Sequence, residues 1–234
     1  MRGKRLNFGD GMGRAHIAIA LLLIGALVAG YSFMRKRAAA DSHREARQLV
    51  LYFTISRTDN PIIVLGDSIT EASTLPRTLC GHAVINAGLN GASTASDLGP
   101  WLVQALDGKR PPAILVALGT NDALMARSAQ ASGASYAALL AQLAGVTDHL
   151  AVLGIPAIEV RGRVTAELQK EAMGRIDAFN ALLPDLAAKG GATFVALPPM
   201  PTPHTIDGVH LDAAGYKLWD EAVLKGVSGA CGSR

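Results

Sequence analysis

Pro61-Ile62-Ile63-Val64-Leu65-Gly66-Asp67-Ser68-Ile69-Thr70 is the stretch on which the fold of this chain turns. The apolar run at its start is short, β-branched and without polar alternation, the pattern of a strand buried on both faces of a parallel sheet. It stops at Gly66-Asp67-Ser68, so Ser68 stands where that strand leaves the sheet. In parallel sheets function collects at the carboxyl ends of the strands. Ser68 is therefore a candidate nucleophile, although a serine after a strand also suits the N-cap of the next helix.

Outward from this turn the same alternation repeats. An apolar segment at 83–86 leads into Asn86-Ala87-Gly88-Leu89-Asn90-Gly91-Ala92-Ser93-Thr94, whose glycines let backbone N–H groups come close to a ligand. Ser93 or Thr94 is the expected cap of a helix carrying Leu98, Trp101, Leu102 and Leu106. Residues 113–118 are the most strand-like run and end in Gly119-Thr120-Asn121-Asp122. A loop at 123–135, a helix at 136–153 and a strand at 155–160 are expected next, with Arg161 and Arg163 beyond that strand's carboxyl end. A helix at 165–189, a fifth strand at 192–197, a Pro-rich loop through Pro203 and a helix from Asp212 complete the pattern. Strands alternating with helices predict an α/β domain with five parallel strands covered on both faces.

The charge distribution excludes one class of partner. Formal net charge is +3, but residues 1–40 hold seven basic side chains and one acidic, leaving fifteen basic and eighteen acidic for the remainder. The basicity belongs to the N-terminus, and no nucleic-acid binding is expected. Between basic clusters, residues 15–34 contain no formal charge. As a helix at about 1.5 Å per residue they match a bilayer's hydrocarbon core. They read as an uncleaved transmembrane anchor, because Arg35-Lys36-Arg37 follows directly; a cleaved signal peptide ending near Ala38-Ala39-Ala40 is the rival. The expected organisation is a basic tail at 1–14, the anchor at 15–34, a charged helical linker at 35–59 and a catalytic domain at 60–234. Four basic residues precede the span and five lie between Arg35 and Arg47, so charge does not decide its orientation.

The chemistry gathers before the last helix, in Asp207-Gly208-Val209-His210-Leu211-Asp212. A separation of three residues in a turn brings the Asp207 and His210 side chains to one side. The carboxylate can then fix one imidazole nitrogen and leave the other as a base. Ser68, Gly91, Asn121 and the Asp207/His210 pair all follow carboxyl ends of predicted strands, the one edge where they can converge.

On these blocks, Gly66-Asp67-Ser68-Ile69, Gly91 within 86–94, Gly119-Thr120-Asn121-Asp122 and 207–210, the chain from 60 to about 227 resembles the SGNH, or GDSL-type, esterase and lipase family. The resemblance implies a three-layer α/β/α sandwich of flavodoxin-like type and a serine esterase working without metal or organic cofactor. It implies Ser68 as nucleophile, His210 as general base and Asp207 as its orienting carboxylate. The Ser68 and Gly91 backbone N–H groups and the Asn121 amide would form the oxyanion hole, with Gly88 as the alternative to Gly91. The same machinery can serve an O-acyltransferase to a sugar hydroxyl. A non-catalytic binding domain of this fold is a third reading, against which the complete residue set argues.

Thr70 stands where the Gly-x-Ser-x-Gly elbow of α/β-hydrolases needs glycine. The six histidines are scattered, and neither cysteines nor aspartates cluster at ligand spacing, so no metal site is expected. Arg161 is expected at the carboxyl end of the 155–160 strand, where a surface pairing with Glu159 or Asp207 is the first reading and the binding of an anionic substrate in the cleft is the alternative. Cys80 precedes the second strand and Cys231 follows a helix running back from the carboxyl edge, so both fall at one face. A Cys80–Cys231 disulfide is expected, the alternative being a buried Cys80 and a reduced Cys231. With the anchor, it points to an inner-membrane protein whose domain lies outside the cytoplasm, acting on a small-molecule, glycan or lipid ester.

Overall fold

The computed structural model of the chain describes residues 9–232. The chain divides into two compact units between Ala46 and Arg47. Helix α1, Gly9–Arg57, begins in the first. There its large apolar side chains, Leu22, Leu27 and Phe33 among them, are exposed. This helix is long and apolar enough to cross a membrane.

The second unit starts with the last turns of α1, whose Leu51 and Ile55 are buried in its core. Strand β1, Ile62–Gly66, is followed at once by the short helix α2, Ser68–Glu71. Strands β2, Thr78–Leu79, and β3, His82–Gly88, form a hairpin, and helix α3 covers Leu98–Leu106. Strand β4, Ala113–Ala117, leads into helices α4, Thr120–Leu124, and α5, Ala129–Ala144. Strand β5, Leu150–Leu153, helix α6, Ala166–Lys189, strand β6, Thr193–Val195, and helix α7, Ala213–Val227, follow.

The sheet is β2-β3-β1-β4-β5-β6, parallel except for the β2/β3 pair. Every β1 residue is buried, and its side chains alternate between two cores. Ile63 and Leu65 face α3, α5, α6 and the end of α1, whereas Ile62 and Val64 face Trp219, Val223 and Val227 of α7. This is why the run lacks polar alternation: both faces of the strand are covered. Full burial of each such side chain contributes about 1.5–3 kcal/mol.

The three-layer α/β fold is as expected, with corrections of detail. The sheet has six strands and is mixed, not five and all parallel. The added β2 is only two residues long and pairs antiparallel through the turn Cys80-Gly81, where both residues have positive φ (52° and 85°). That is the backbone of a two-residue hairpin turn. The fourth parallel strand is Leu150–Leu153 rather than 155–160. Ile155 and Ile158 are apolar because they are buried in the core, not because they pair in the sheet. Residues 123–124 and 129–135, expected as loop, are helical, as parts of α4 and α5, and α5 ends at Ala144 rather than at 153. Helix α3 is entered through Asp97, without a side-chain cap bond, not through Ser93 or Thr94. A disulfide joins Cys80, at the hairpin tip, to Cys231 in the 3-10 turn Ser228–Cys231 after α7, with Cα atoms 5.3 Å apart.

Candidate active site

Register aligns the strand ends that carry the candidate residues. Gly66 of β1 pairs with Gly88 of β3 on one side and Ala117 of β4 on the other. The segments leaving these three strands therefore start at one height, and β1 and β4 flank the point where the chain reverses its direction of growth across the sheet. Crevices at such points are where open α/β sheets bind ligands.

Asp67 caps α2, accepting from the Ile69 N–H at 2.9 Å, and this holds Ser68 at the mouth of the crevice. His210 stands opposite, its Nε2 3.0 Å from Ser68 Oγ. Its Nδ1 lies 2.8 Å from Asp207 Oδ2, while the backbone N–H groups of His210 and Val209 donate to Asp207 Oδ1 at 2.8 and 3.1 Å. Partial burial pulls the Asp207 carboxyl upward, but these bonds from His210 and Val209 outweigh it and hold the group below the usual carboxylate range. An ionised carboxylate only accepts, so Nδ1 carries the proton and Nε2 is left to accept from the serine hydroxyl.

The loop carrying this pair is tied down closely. Ile206 N–H donates to the His210 carbonyl and Asp212 N–H to the His204 carbonyl, both at 2.8 Å, so Asp207 and His210 occupy the tip of a narrow turn. Gly208 has φ of 97°, and a Cβ there would meet the Arg161 and Glu159 carbonyls at 2.7 Å. Only glycine lets this tip lie against that segment. At the base of the turn, Glu159 accepts from the Thr205 hydroxyl at 2.5 Å and from the backbone N–H groups of His204 and Thr205. The buried His204 bridges the carbonyls of Pro201 and Ala157 at 2.8 and 3.0 Å.

On the other side of Ser68, Asn121 Nδ2 donates to the Ala92 carbonyl at 2.8 Å. A primary amide carries two N–H groups, so a second remains. Gly91 has φ of 72° and open space where a Cβ would lie. Among the described residues, the turn hydrogen bonds here are donated by Glu71, Ala72, Ser73, Leu89 and Ala92, and none by the Ser68 or Gly91 N–H groups. Gly88 has a packing role: a Cβ on it would run into the Glu71 backbone. Asp122, buried, accepts from the Thr94 hydroxyl and N–H at 2.6 and 2.9 Å, with Arg127 Nε 3.1 Å away. A cavity of about 430 Å³ opens beside Ser68 and His210, lined also by Ala72, Asn90, Leu211 and Tyr216.

Arg161 is not brought to this cavity. Its Nη1 donates to the Thr205 carbonyl at 2.6 Å, and it lines a separate cavity with Met173 and Pro203. Neither Asp67 nor the Glu159/His204 anchor was singled out from sequence, because their roles depend on partners from distant segments. Asp67 adjoins Ser68, which was the one available signal.

Burial pushes the Asp67 carboxyl up to about 7, against the opposing Ile69 hydrogen bond and the charge of His210. The folded chain thus holds a proton that the unfolded chain releases near the ordinary 3.8, and stability falls as pH rises from about 4 to about 7. Asp67→Asn removes that slope. Its stability relative to the unaltered chain is expected to improve between pH 4 and pH 8 by up to about 4 kcal/mol, with its melting temperature rising accordingly. Thermal unfolding at the two pH values checks this.

No curated protein matches the chain. Several solved structures share its fold. One, from Streptococcus pneumonia and provisionally described as a platelet activating factor, has 22% identity and a TM-score of 0.67, covering 90% of this chain and 99% of its own. The acetylxylan esterase Axe2 from Geobacillus stearothermophilus has 16% identity and a TM-score of 0.56, covering 76% and 98%. A lipolytic protein of the G-D-S-L family from Veillonella parvula has 18% identity and a TM-score of 0.55, covering 70% and 96%. The sequence itself matches the GDSL-like lipase/acylhydrolase family over residues 64–218, from the middle of β1 into α7 and across the whole Ser68 crevice. By that match over more than half its length the chain belongs to the GDSL-like lipase/acylhydrolase family and is a hydrolase acting on esters.

Proposed function

We propose that the chain is a membrane-anchored serine esterase that cleaves acyl or acetyl esters through an acyl-enzyme on Ser68. The observation that carries the proposal is His210, whose two ring nitrogens lie 3.0 Å from Ser68 Oγ and 2.8 Å from Asp207 Oδ2. Nε2 takes the hydroxyl proton as Oγ attacks the ester carbonyl carbon. The resulting imidazolium is stabilised by Asp207, and Nε2 then returns the proton to the departing alkoxide as the C–O bond breaks. Water repeats the sequence on the acyl-enzyme, releasing the acid and restoring Ser68. The Ser68 and Gly91 N–H groups and the free Asn121 amide N–H supply donors for the oxyanion.

Exposure favours water over a sugar hydroxyl as acceptor: the His210 and Asp207 side chains are 35% and 49% exposed. The cavity beside Ser68 has Ala72, Leu211 and Tyr216 for an acyl group. The fold likeness to an acetylxylan esterase makes acetylated sugars the first natural esters to try. Residues 15–34 serve as the anchor, and the Cys80–Cys231 bond favours a domain outside the cytoplasm.

The test is hydrolysis of p-nitrophenyl acetate, butyrate and octanoate, with a fluorophosphonate probe to mark the nucleophile. Turnover and a single adduct on Ser68 are expected. Asn121→Ala is expected to lower kcat by about 10²-fold or more with little change in KM, the signature of a lost oxyanion donor. A folded chain with neither turnover nor adduct overturns the proposal.

A further inference from the structure

Arg47 belongs to the hydrolase unit by packing, although it lies thirteen residues before the predicted domain start. Its guanidinium grips the carboxyl end of β3. Nη2 donates to the Asn86 carbonyl at 2.9 Å and reaches Asn86 Oδ1 at 3.4 Å, and Nε donates to the Gly88 carbonyl at 3.2 Å. Glu71, the last residue of α2, places Oε1 3.9 Å from Arg47 Nε and accepts the Asn90 N–H on Oε2 at 2.7 Å. Asn86 closes the ring: its Nδ2 donates to the Thr70 carbonyl at 2.6 Å and its Oδ1 accepts from Gly88 N–H at 3.0 Å.

These contacts converge on the two segments that border Ser68. One is α2, which begins with Ser68 and ends with Glu71. The other is the turn through Asn90 into Gly91, a residue whose N–H has a use only if it stands at the height of Ser68. At Gly91 itself a Cβ would meet nothing within 4 Å, so no neighbouring atom closes on that side of the turn. The adjacent Asn90 donates to a carboxylate that lies within ion-pair range of Arg47, at 3.9 Å, and the same Arg47 Nε donates to the Gly88 carbonyl two residues before Asn90. A planar guanidinium suits this task because it addresses several acceptors at fixed angles.

We infer that Arg47 is a positioning residue for the oxyanion side of the site, setting the height of the Asn90-Gly91 turn against Ser68 through Gly88 and Glu71. The inference rests on the esterase reading above. It gives one side chain of α1, that of Arg47, a role in holding the site.

The experiment uses the full chain in detergent micelles with p-nitrophenyl acetate, comparing Arg47→Met, Arg47→Lys, Glu71→Gln, the Arg47→Met/Glu71→Gln double variant and Leu51→Ala. Arg47→Met is expected to lower kcat about 10- to 100-fold with KM within about twofold. Lysine recovers part of the loss, since a point donor reaches one carbonyl. The double variant falls no further than the worse single one, as expected of residues acting in one network. Leu51→Ala, which opens the same helix's packing without touching the network, lowers the melting temperature by several degrees and leaves kcat unchanged below the transition.

Amide exchange of the Asn90 N–H is followed in parallel and is expected to quicken in Arg47→Met while the β1 and β4 amides stay protected. This reading does not depend on turnover. Faster Asn90 exchange in a chain with no esterase activity would keep the positioning role and remove the esterase reading. Unchanged kcat and unchanged Asn90 exchange in Arg47→Met, with Ser68→Ala inactive, would remove the positioning role alone. A kcat loss equally large in Leu51→Ala would also remove it, since general loosening would then explain both.

Discussion

The Ser68→Ala chain is expected to hydrolyse p-nitrophenyl acetate about 10⁴-fold more slowly than the unaltered chain, or worse, and to take up no fluorophosphonate. The loss is large because Oγ forms the covalent bond on which the proposed reaction depends. The remaining donors can still favour the tetrahedral geometry, so a residue of catalysis over water is left. The change is small structurally. Asp67 still caps α2, and His210 keeps its 2.8 Å contact with Asp207. The melting temperature is therefore expected to move by no more than a degree or two, and circular dichroism separates inactivity from unfolding. His210→Ala is expected to match Ser68→Ala within about tenfold, and the double variant to add little, because nucleophile and base act as a unit. Hydrolysis by Ser68→Ala at even a tenth of the original rate would remove Ser68 as nucleophile.

The largest effect on stability is expected from opening the Cys80–Cys231 bond with Cys80→Ala/Cys231→Ala. The bond spans 151 residues of sequence, and a loop of that size restricts the unfolded chain by about 3–5 kcal/mol in the entropic account. For a domain of this size that corresponds to roughly 10 °C in melting temperature. The folded state contributes too: Cys80 has φ of 52°, a conformation that L residues adopt at a cost, and it closes a hairpin whose first strand is only two residues long. The β2/β3 edge should fray first, seen as faster exchange at His82. The Ser68 crevice lies at the opposite end of the strands, so kcat well below the transition is expected to hold. An unchanged melting temperature would overturn the assignment of this bond as a main brace.

The layered fold was legible because β1 and β4 have no polar alternation, and such runs have few homes other than a doubly covered parallel sheet. The meeting of Ser68 with Asp207 and His210 was legible for a related reason: each is adjacent in sequence to the end of an element whose direction follows from the alternation. Three kinds of feature were less so. A two-residue strand such as β2 has no period to read. The stretch from Leu150 to Ile158 stays apolar past Leu153, where pairing ends, because burial goes on; Gly154 and Pro156 were the sequence's signal that the strand had stopped. The misplacement of that strand put Arg161 at an edge it does not occupy. Contacts such as Arg47 with Gly88, or Glu159 with His204, join residues more than forty positions apart, and no local pattern in a single sequence reports them.

Base and carboxylate share the tip of one turn, where two hydrogen bonds join His210 to Asp207 and a third reaches Asp207 from the Val209 N–H, while the nucleophile belongs to a different segment and meets them through His210 Nε2. Any displacement of that turn thus separates His210 from Ser68 before it separates His210 from Asp207. Such a shift leaves the base aligned by its carboxylate, and only the distance from His210 Nε2 to Ser68 Oγ has to close again for the site to be complete.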